Sequence, residues 1–226
     1  MTSPRVAPAR LGPVQQLRAG RLGRRLGQLG VGLVLYGASL AMVIRATLGN
    51  ASWDVLHQGL ARHLPMSIGT AVVAVSLLVL LAWVPLREVP GLGTVANTVV
   101  IGPAADLTLF LLPAPDGTTL RVLLLVGGVL LNAVATALYI GARFGPGPRD
   151  GLMTGLHRRT GLPVGLVRTG LEVSVVAVGF VLGGVVGLGT VLYALAIGPL
   201  TQWLLPWATV SLDVDHEAAR AGCEVR

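Results

Sequence analysis

Six long apolar stretches, separated by short charged or glycine-rich segments, set the pattern of this chain. Nineteen uncharged residues lie between Arg25 and Arg45, and 23 lie between His63 and Arg87. A third stretch runs from about Gly93 to Leu112 with one acid, Asp106. A fourth fills the 21 uncharged residues between Arg121 and Arg143. From Val173 to Leu212 no charge appears for 40 residues, too long for one crossing. Gly183, Gly184, Gly187 and Gly189 divide it, because glycine is the commonest break in a helical pattern. A fifth helix is therefore expected near 163–184 and a sixth near 189–208. About 20 apolar residues are needed to cross the hydrocarbon of a bilayer as a helix. The runs lack the alternation that a barrel strand requires. The pattern predicts an all-α membrane protein with six transmembrane helices.

The chain also matches itself at a shift of 96 residues, the offset that carries Asp54 onto Asp150. Gly49 then meets Gly145, Leu56 meets Leu152, Gly59-Leu60 meets Gly155-Leu156, and Arg62 meets Arg158. Gly91-Leu92-Gly93-Thr94-Val95 recurs as Gly187-Leu188-Gly189-Thr190-Val191, and Ile101-Gly102-Pro103 as Ile197-Gly198-Pro199. Over residues 46–103 against 142–199, 19 of 58 positions are identical without a gap. Shared apolar composition does not place Asp on Asp and a five-residue string in one register. Each half carries three spans, an odd number, so the second half is expected to enter the membrane from the opposite side. That predicts two inverted three-helix repeats about a pseudo-two-fold axis in the membrane plane. The chain divides into an Arg-rich segment at 1–25, repeats at 26–113 and 114–208, and a polar tail at 209–226.

Composition agrees with burial in lipid. Hydrophobic residues make up 53% of the chain and charged residues 12%, against about 25% charged in soluble domains. The net charge is +7, and every basic residue is Arg. Arg5, Arg10, Arg18, Arg21, Arg24 and Arg25 precede the first apolar run. There they suit a cytoplasmic anchor facing anionic lipid rather than a nucleic-acid surface. The run after Arg25 is long enough to span and has a counterpart in the second half, so a retained helix is expected rather than a cleaved leader. With the N-terminus in the cytoplasm, the inner segments hold these arginines, Arg87, Arg143, Arg149, Arg158 and Arg159. The outer ones hold Arg45, Arg62 and Arg121. That distribution obeys the positive-inside rule and puts both termini in the cytoplasm. The single cysteine, Cys223, excludes an internal disulfide and a thiolate metal site.

The strings Ser52-Trp53-Asp54-Val55-Leu56-His57-Gln58-Gly59, Gly91-Leu92-Gly93-Thr94, Gly145-Pro146-Gly147-Pro148-Arg149-Asp150-Gly151-Leu152-Met153 and Ile197-Gly198-Pro199 resemble the YczE-type group of bacterial membrane proteins. That group is usually placed with YyaS and YitT-like proteins. The resemblance covers about residues 25–206. It implies a multi-pass protein of the bacterial cytoplasmic membrane and supplies no substrate or reaction.

Three constellations are candidates for function. In the first, the paired segments Asn50–His63 and Pro146–Arg159 each predict a short helix after the first span of a repeat. Ser52 is expected to cap one, and Pro148 suits the first turn of the other. Asp54 and Asp150 then sit at the positive end of a helix dipole. They are either dipole partners on interfacial helices or acids of re-entrant half-helices near a solute or proton path. Gly145 and Pro146 break the chain before the second.

In the second, Pro103 and Pro199, each after a glycine (Gly102, Gly198), remove a helical hydrogen bond inside spans three and six. Asp106 and Gln202 follow three residues on. An acid at that depth must face protein or water. It is a functional candidate or a packing feature, expected near span six or the short helices. The third is Arg168 and Glu172, four apart on span five, which read as an ion pair with Arg168 snorkelling.

The four histidines form no metal-ligand spacing, and Gly145-Pro146-Gly147 lacks the residues of a phosphate loop. No cofactor and no metal are expected. A non-enzymatic secondary transporter or permease is the leading reading, with the bilayer, a small solute or proton, and a second copy of the chain as partners. A membrane accessory or scaffold supporting another complex is the alternative.

Overall fold

The computed structural model describes residues 16, 17 and 20–212. Arg5, Arg10, Arg18, Cys223 and all of the polar tail beyond Leu212 lie outside the described residues. Among the described residues there are eight helices and no strand: α1 (Leu22–Ala46), α2 (Ser52–His63), α3 (Ile68–Leu86), α4 (Leu92–Leu111), α5 (Thr118–Gly141), α6 (Pro148–Thr160), α7 (Val164–Val181) and α8 (Leu188–Ala208). Six of them, all but α2 and α6, are long and apolar enough to cross a membrane.

The predicted boundaries hold to within a few residues, with one consequence at the N-terminus. The division at 25 falls inside α1, and Arg25 is fully buried. Its guanidinium lies 4.2 Å from the centroid of the Phe144 ring. It donates to the carbonyls of Gln16 (2.6 Å), Ala142 (3.0 Å) and Arg143 (3.1 Å). A buried cation needs hydrogen-bond partners, and three carbonyl oxygens supply them here. Arg25 is thus part of the protein's interior and not of a lipid-facing anchor.

The helices pack in repeat-equivalent pairs. The two first spans, α1 and α5, pack on each other at the centre. Each first span also packs on the third span of its own half, α1 on α4 and α5 on α8. The short helices cross over: α2 packs on α7 and α6 packs on α3, each against the second span of the other half.

The sequence identities of the repeat are the contacts of this exchange. Gly93 N–H donates to the Phe144 carbonyl and Gly189 N–H to the Leu48 carbonyl, both at 2.8 Å. A Cβ on Gly91 would lie 2.5 Å from the first of those oxygens, and a Cβ on Gly187 would lie 2.5 Å from the second. Thr94 and Thr190 Oγ1 accept from the N–H of Gly91 and Gly187. The recurring Gly-Leu-Gly-Thr-Val string therefore lets a loop from the other half sit against a helix start. Arg62 and Arg158, also equivalent, reach across to the Gly183 carbonyl and to Glu88.

One expectation about the helix ends changes, at Ser52. Helices α4 and α8 run through Pro103 and Pro199 without ending. Gly145, at φ 104°, is a true turn, as is Gly49 at φ 118° in the other half. Pro148 opens α6 as expected. Ser52 is the first residue of α2 and not its cap; Ala51 holds that place. Gly183, at φ 78°, separates α7 from α8.

Candidate functional site

The equivalence fails at one place. Helices α3 and α4 pack closely, Gly69 against Gly102, with no room for a Cβ on either. Asp106 secures the contact: its carboxylate accepts from Ser67 Oγ (2.5 Å) and from the Gly69 N–H (2.8 Å) at the start of α3. Their counterparts α7 and α8 are not a packed pair. A Cβ on Gly165 or on Gly198, the equivalents of Gly69 and Gly102, would meet nothing within 4 Å.

A cavity of about 230 Å³ opens where α7 and α8 part. A second, of about 60 Å³, lies in the other half. Much of their walls is equivalent. From the short helices, Trp53, Asp54 and His57 line the smaller cavity, and Arg149, Asp150 and Met153 line the larger. From the second spans, Val72, Val75 and Ser76 face the smaller, and Arg168, Leu171 and Glu172 the larger. From the first and third spans, Leu40, Asn97 and Ile101 are matched by Thr136, Tyr193 and Ile197. Trp53, Tyr139 and Arg149 line both and form the wall between them.

The two cavities differ in chemistry. In the smaller, Asp54 is buried and its Oδ1 lies 3.1 Å from His57 Nδ1. Val72 and Ser76 add no charge. In the larger, Asp150 Oδ2 accepts from the Tyr139 hydroxyl at 2.9 Å. Arg168 Nε donates to Glu172 Oε1 at 2.9 Å. The Arg149 guanidinium donates to the Tyr36 hydroxyl and lies 5.7 Å from the centroid of its ring. Among the described residues it makes no ion pair. Thr201 Oγ1 is buried in the wall without a hydrogen-bond partner among the described residues. Gln202 also faces this space.

The structure therefore sorts the candidates. Asp150, Arg168, Glu172 and Gln202 come together around the larger cavity, and Asp54 occupies the equivalent place in the smaller. Gly198 lines the larger cavity. Asp106 and Gly102 line neither. Asp106 was expected near span six or the short helices, and it instead caps the start of span two. A helix N-terminus with free N–H groups is the nearest strong donor set, and a carboxylate satisfies it without leaving the protein. Gln202 has no such partner, because α7 stands away from α8. Pro146 and Gly145 shape the loop that holds α4, with Thr94 Oγ1 donating to the Pro146 carbonyl at 2.7 Å.

Arg149, Tyr139, Tyr193 and Thr201 are missing from the residues singled out by sequence. Arg149 was counted in the cytoplasmic cluster, but its side chain points inward. The signal was its place beside Asp150 and opposite Trp53 in the repeat. Among the described residues no three His, Cys, Asp or Glu side chains are grouped as a metal ion requires.

Fold and cavities together define a multi-pass helical membrane protein with two cavities lined in part by equivalent positions of the repeat. Residues 23–206 match the family of unknown function DUF6198, and the chain belongs to that family. It is 41% identical over 173 residues to an uncharacterized protein of Haemophilus influenzae, covering 76% of this chain and 79% of that one. It is 32% identical over 178 residues to the uncharacterized membrane protein YczE of Bacillus subtilis, covering 78% and 82%. A third relative, YyaS of the same organism, is 26% identical over 184 residues, covering 78% and 90%. The YczE-type resemblance of the loop strings is thereby established; a link to YitT-like proteins is not carried by these matches. No solved structure matches the chain.

Proposed function

We propose that the chain is a small permease of the bacterial cytoplasmic membrane, in which two inverted halves alternate between a shut and an open cavity. One observation carries the reading: equivalent residues line both cavities, yet α3–α4 is closed and α7–α8 is parted. Two copies of one design in unequal conformations are what alternating access about an in-plane axis requires. On this reading α2 and α6 are re-entrant half-helices from opposite faces, and both termini are cytoplasmic. The cycle exchanges the halves: α7 closes on α8 through Gly165 and Gly198 while α3 leaves α4. Asp106 holds the shut half through Ser67 and Gly69. The reading assigns passage of a solute and no bond chemistry.

The experiment is paired accessibility in intact cells and inverted vesicles. Thr201→Cys reports the larger cavity and Ser76→Cys the smaller, each in a Cys223→Ser background. The expected result is labelling from opposite faces, with any condition that raises one lowering the other. Labelling of both from one face, or independent changes, would remove the alternating-access reading. The parted face of α7 and α8 favours a second reading, a membrane accessory that seats another protein there. It predicts that Thr201→Cys is shielded only when that protein is present.

A further inference from the structure

We propose that the larger cavity binds a small zwitterion, a solute carrying one carboxylate and one ammonium group at the scale of a free amino acid. The proposal rests on the cavity described above and deepens the permease reading. At about 230 Å³ the space lies below the usual range of about 300–1,000 Å³ for drug-sized ligands. It suits a solute of few heavy atoms.

The charges decide the class. The wall carries two cations, Arg149 and Arg168, and two acids, Asp150 and Glu172. A bare anion would reach Arg149 but would also face two carboxylates. A bare cation would meet two guanidinium groups. A dipolar solute satisfies both signs at once.

The positions available fit the two ends. Arg149 has a hydroxyl partner and, among the described residues, no ion pair. Its planar donor fork matches a carboxylate in two-point geometry. The Thr201 hydroxyl is buried in the same wall without a partner and supplies a further hydrogen bond. Glu172 is held by a single Arg168 contact, on an exposed part of α7. It is the acid that can turn to an ammonium group, because Asp150 is already engaged by Tyr139. The equivalent positions in the smaller cavity are Trp53, Val72 and Ser76. The Arg168–Glu172 pair thus belongs to the larger cavity alone, and solute is bound when α7 and α8 are parted.

The test uses the full chain, purified in detergent, with thermal stabilisation as the readout of binding. The probes are glycine, alanine, serine and leucine, each beside its N-acetyl form, which is anion only, and its amide, which is cation only. At about 10 mM at least one zwitterion is expected to raise Tm, while its two single-charge forms bind at least about tenfold more weakly. Arg149→Gln and Glu172→Gln are each expected to weaken that zwitterion about tenfold or more. Variants that fold poorly are replaced by Arg149→Lys and Glu172→Asp, which keep the charge and should retain partial binding.

Equal stabilisation by an N-acetyl form would make the site an anion site and overturn the proposal. So would equal stabilisation by an amide, or no response to any zwitterion. Binding in detergent needs no gradient. A zwitterion that binds while the paired labelling fails would leave the solute class standing and remove the permease reading. Alternating labels with anion-only binding would do the reverse.

Discussion

Trp53 and Arg149 occupy equivalent positions in the two repeats, and each lines both cavities. An apolar ring in one half and a guanidinium in the other thus form the partition at the centre of the protein. Arg149 is held there by the Tyr36 ring and hydroxyl. An arginine at this depth keeps its charge, so the partition is polarised toward the larger cavity. Arg149→Leu is expected to preserve the fold of α6, whose start rests on the Pro148 carbonyl and Trp83. It should abolish binding in the larger cavity. Loss of α6 packing in Arg149→Leu, seen as proteolysis near Gly147, would assign the residue a structural role instead.

Trp83 sets the tightest fit between the halves. Its side chain is 2% exposed, its Nε1–H donates to the Pro148 carbonyl at 2.9 Å, and its ring occupies the space a Cβ on Gly151 would need. Gly151→Ala overpacks this contact and is expected to cost about 1–3 kcal/mol. Trp83→Phe removes the ring that stands against Gly151, so the double variant should recover part of that loss; a thermal-unfolding cycle measures the coupling. Additive losses would show that Gly151 is limited by something other than Trp83.

The spans, the break between α7 and α8, and the recurring strings of the repeat were legible because they are written in local pattern. Continuous apolar runs, a glycine cluster and strings recurring at one shift need no tertiary information. The larger cavity was half legible. Asp150, Arg168, Glu172 and Gln202 stood out as charges or amides in or beside apolar helices, and they do converge. Asp106 was misplaced, and Arg149 was not singled out, for one physical reason. A charge near a helix end has two outlets, the aqueous interface or a donor or ring from another helix, and only long-range packing chooses between them. Which copy is shut was not legible: Asp106 stands opposite Gln202 in the repeat, but only packing shows that its carboxylate holds α4 on the start of α3.

Arg25 ties the start of α1 to the loop after α5 through two carbonyls, Ala142 and Arg143, and to Gln16 through a third. Arg25→Ala leaves two buried carbonyls on that loop without this donor, each worth about 1–3 kcal/mol when unsatisfied. A marked fall in Tm is expected, with no change of topology. Arg25→Lys should rescue only partly, since an ammonium cannot both stack on Phe144 and reach three oxygens. Full rescue by Lys would show that charge alone matters there.

Asp106 joins α4 to the start of α3. Asp106→Asn weakens charge-assisted hydrogen bonds of about 1.5–3 kcal/mol while leaving the residue's size unchanged. The protein should fold, and Ser76→Cys in the smaller cavity should label faster, because the shut half opens more often. Unchanged labelling would remove Asp106 from the exchange between halves.

The exchange itself is tested most directly at Gly165 and Gly198. Both face open space, so cysteines there, with Cys223→Ser, fit the described state without strain. In that state a Cβ on either meets nothing within 4 Å, and a disulfide needs Cβ atoms about 3.5–4.5 Å from each other. If α7 closes on α8 as α3 closes on α4, mild oxidation in membranes should cross-link the pair. The link should then leave Thr201→Cys inaccessible and Ser76→Cys exposed. Free reactivity of each cysteine with no cross-link under any condition would mean that α7 and α8 do not close, and would contradict the account.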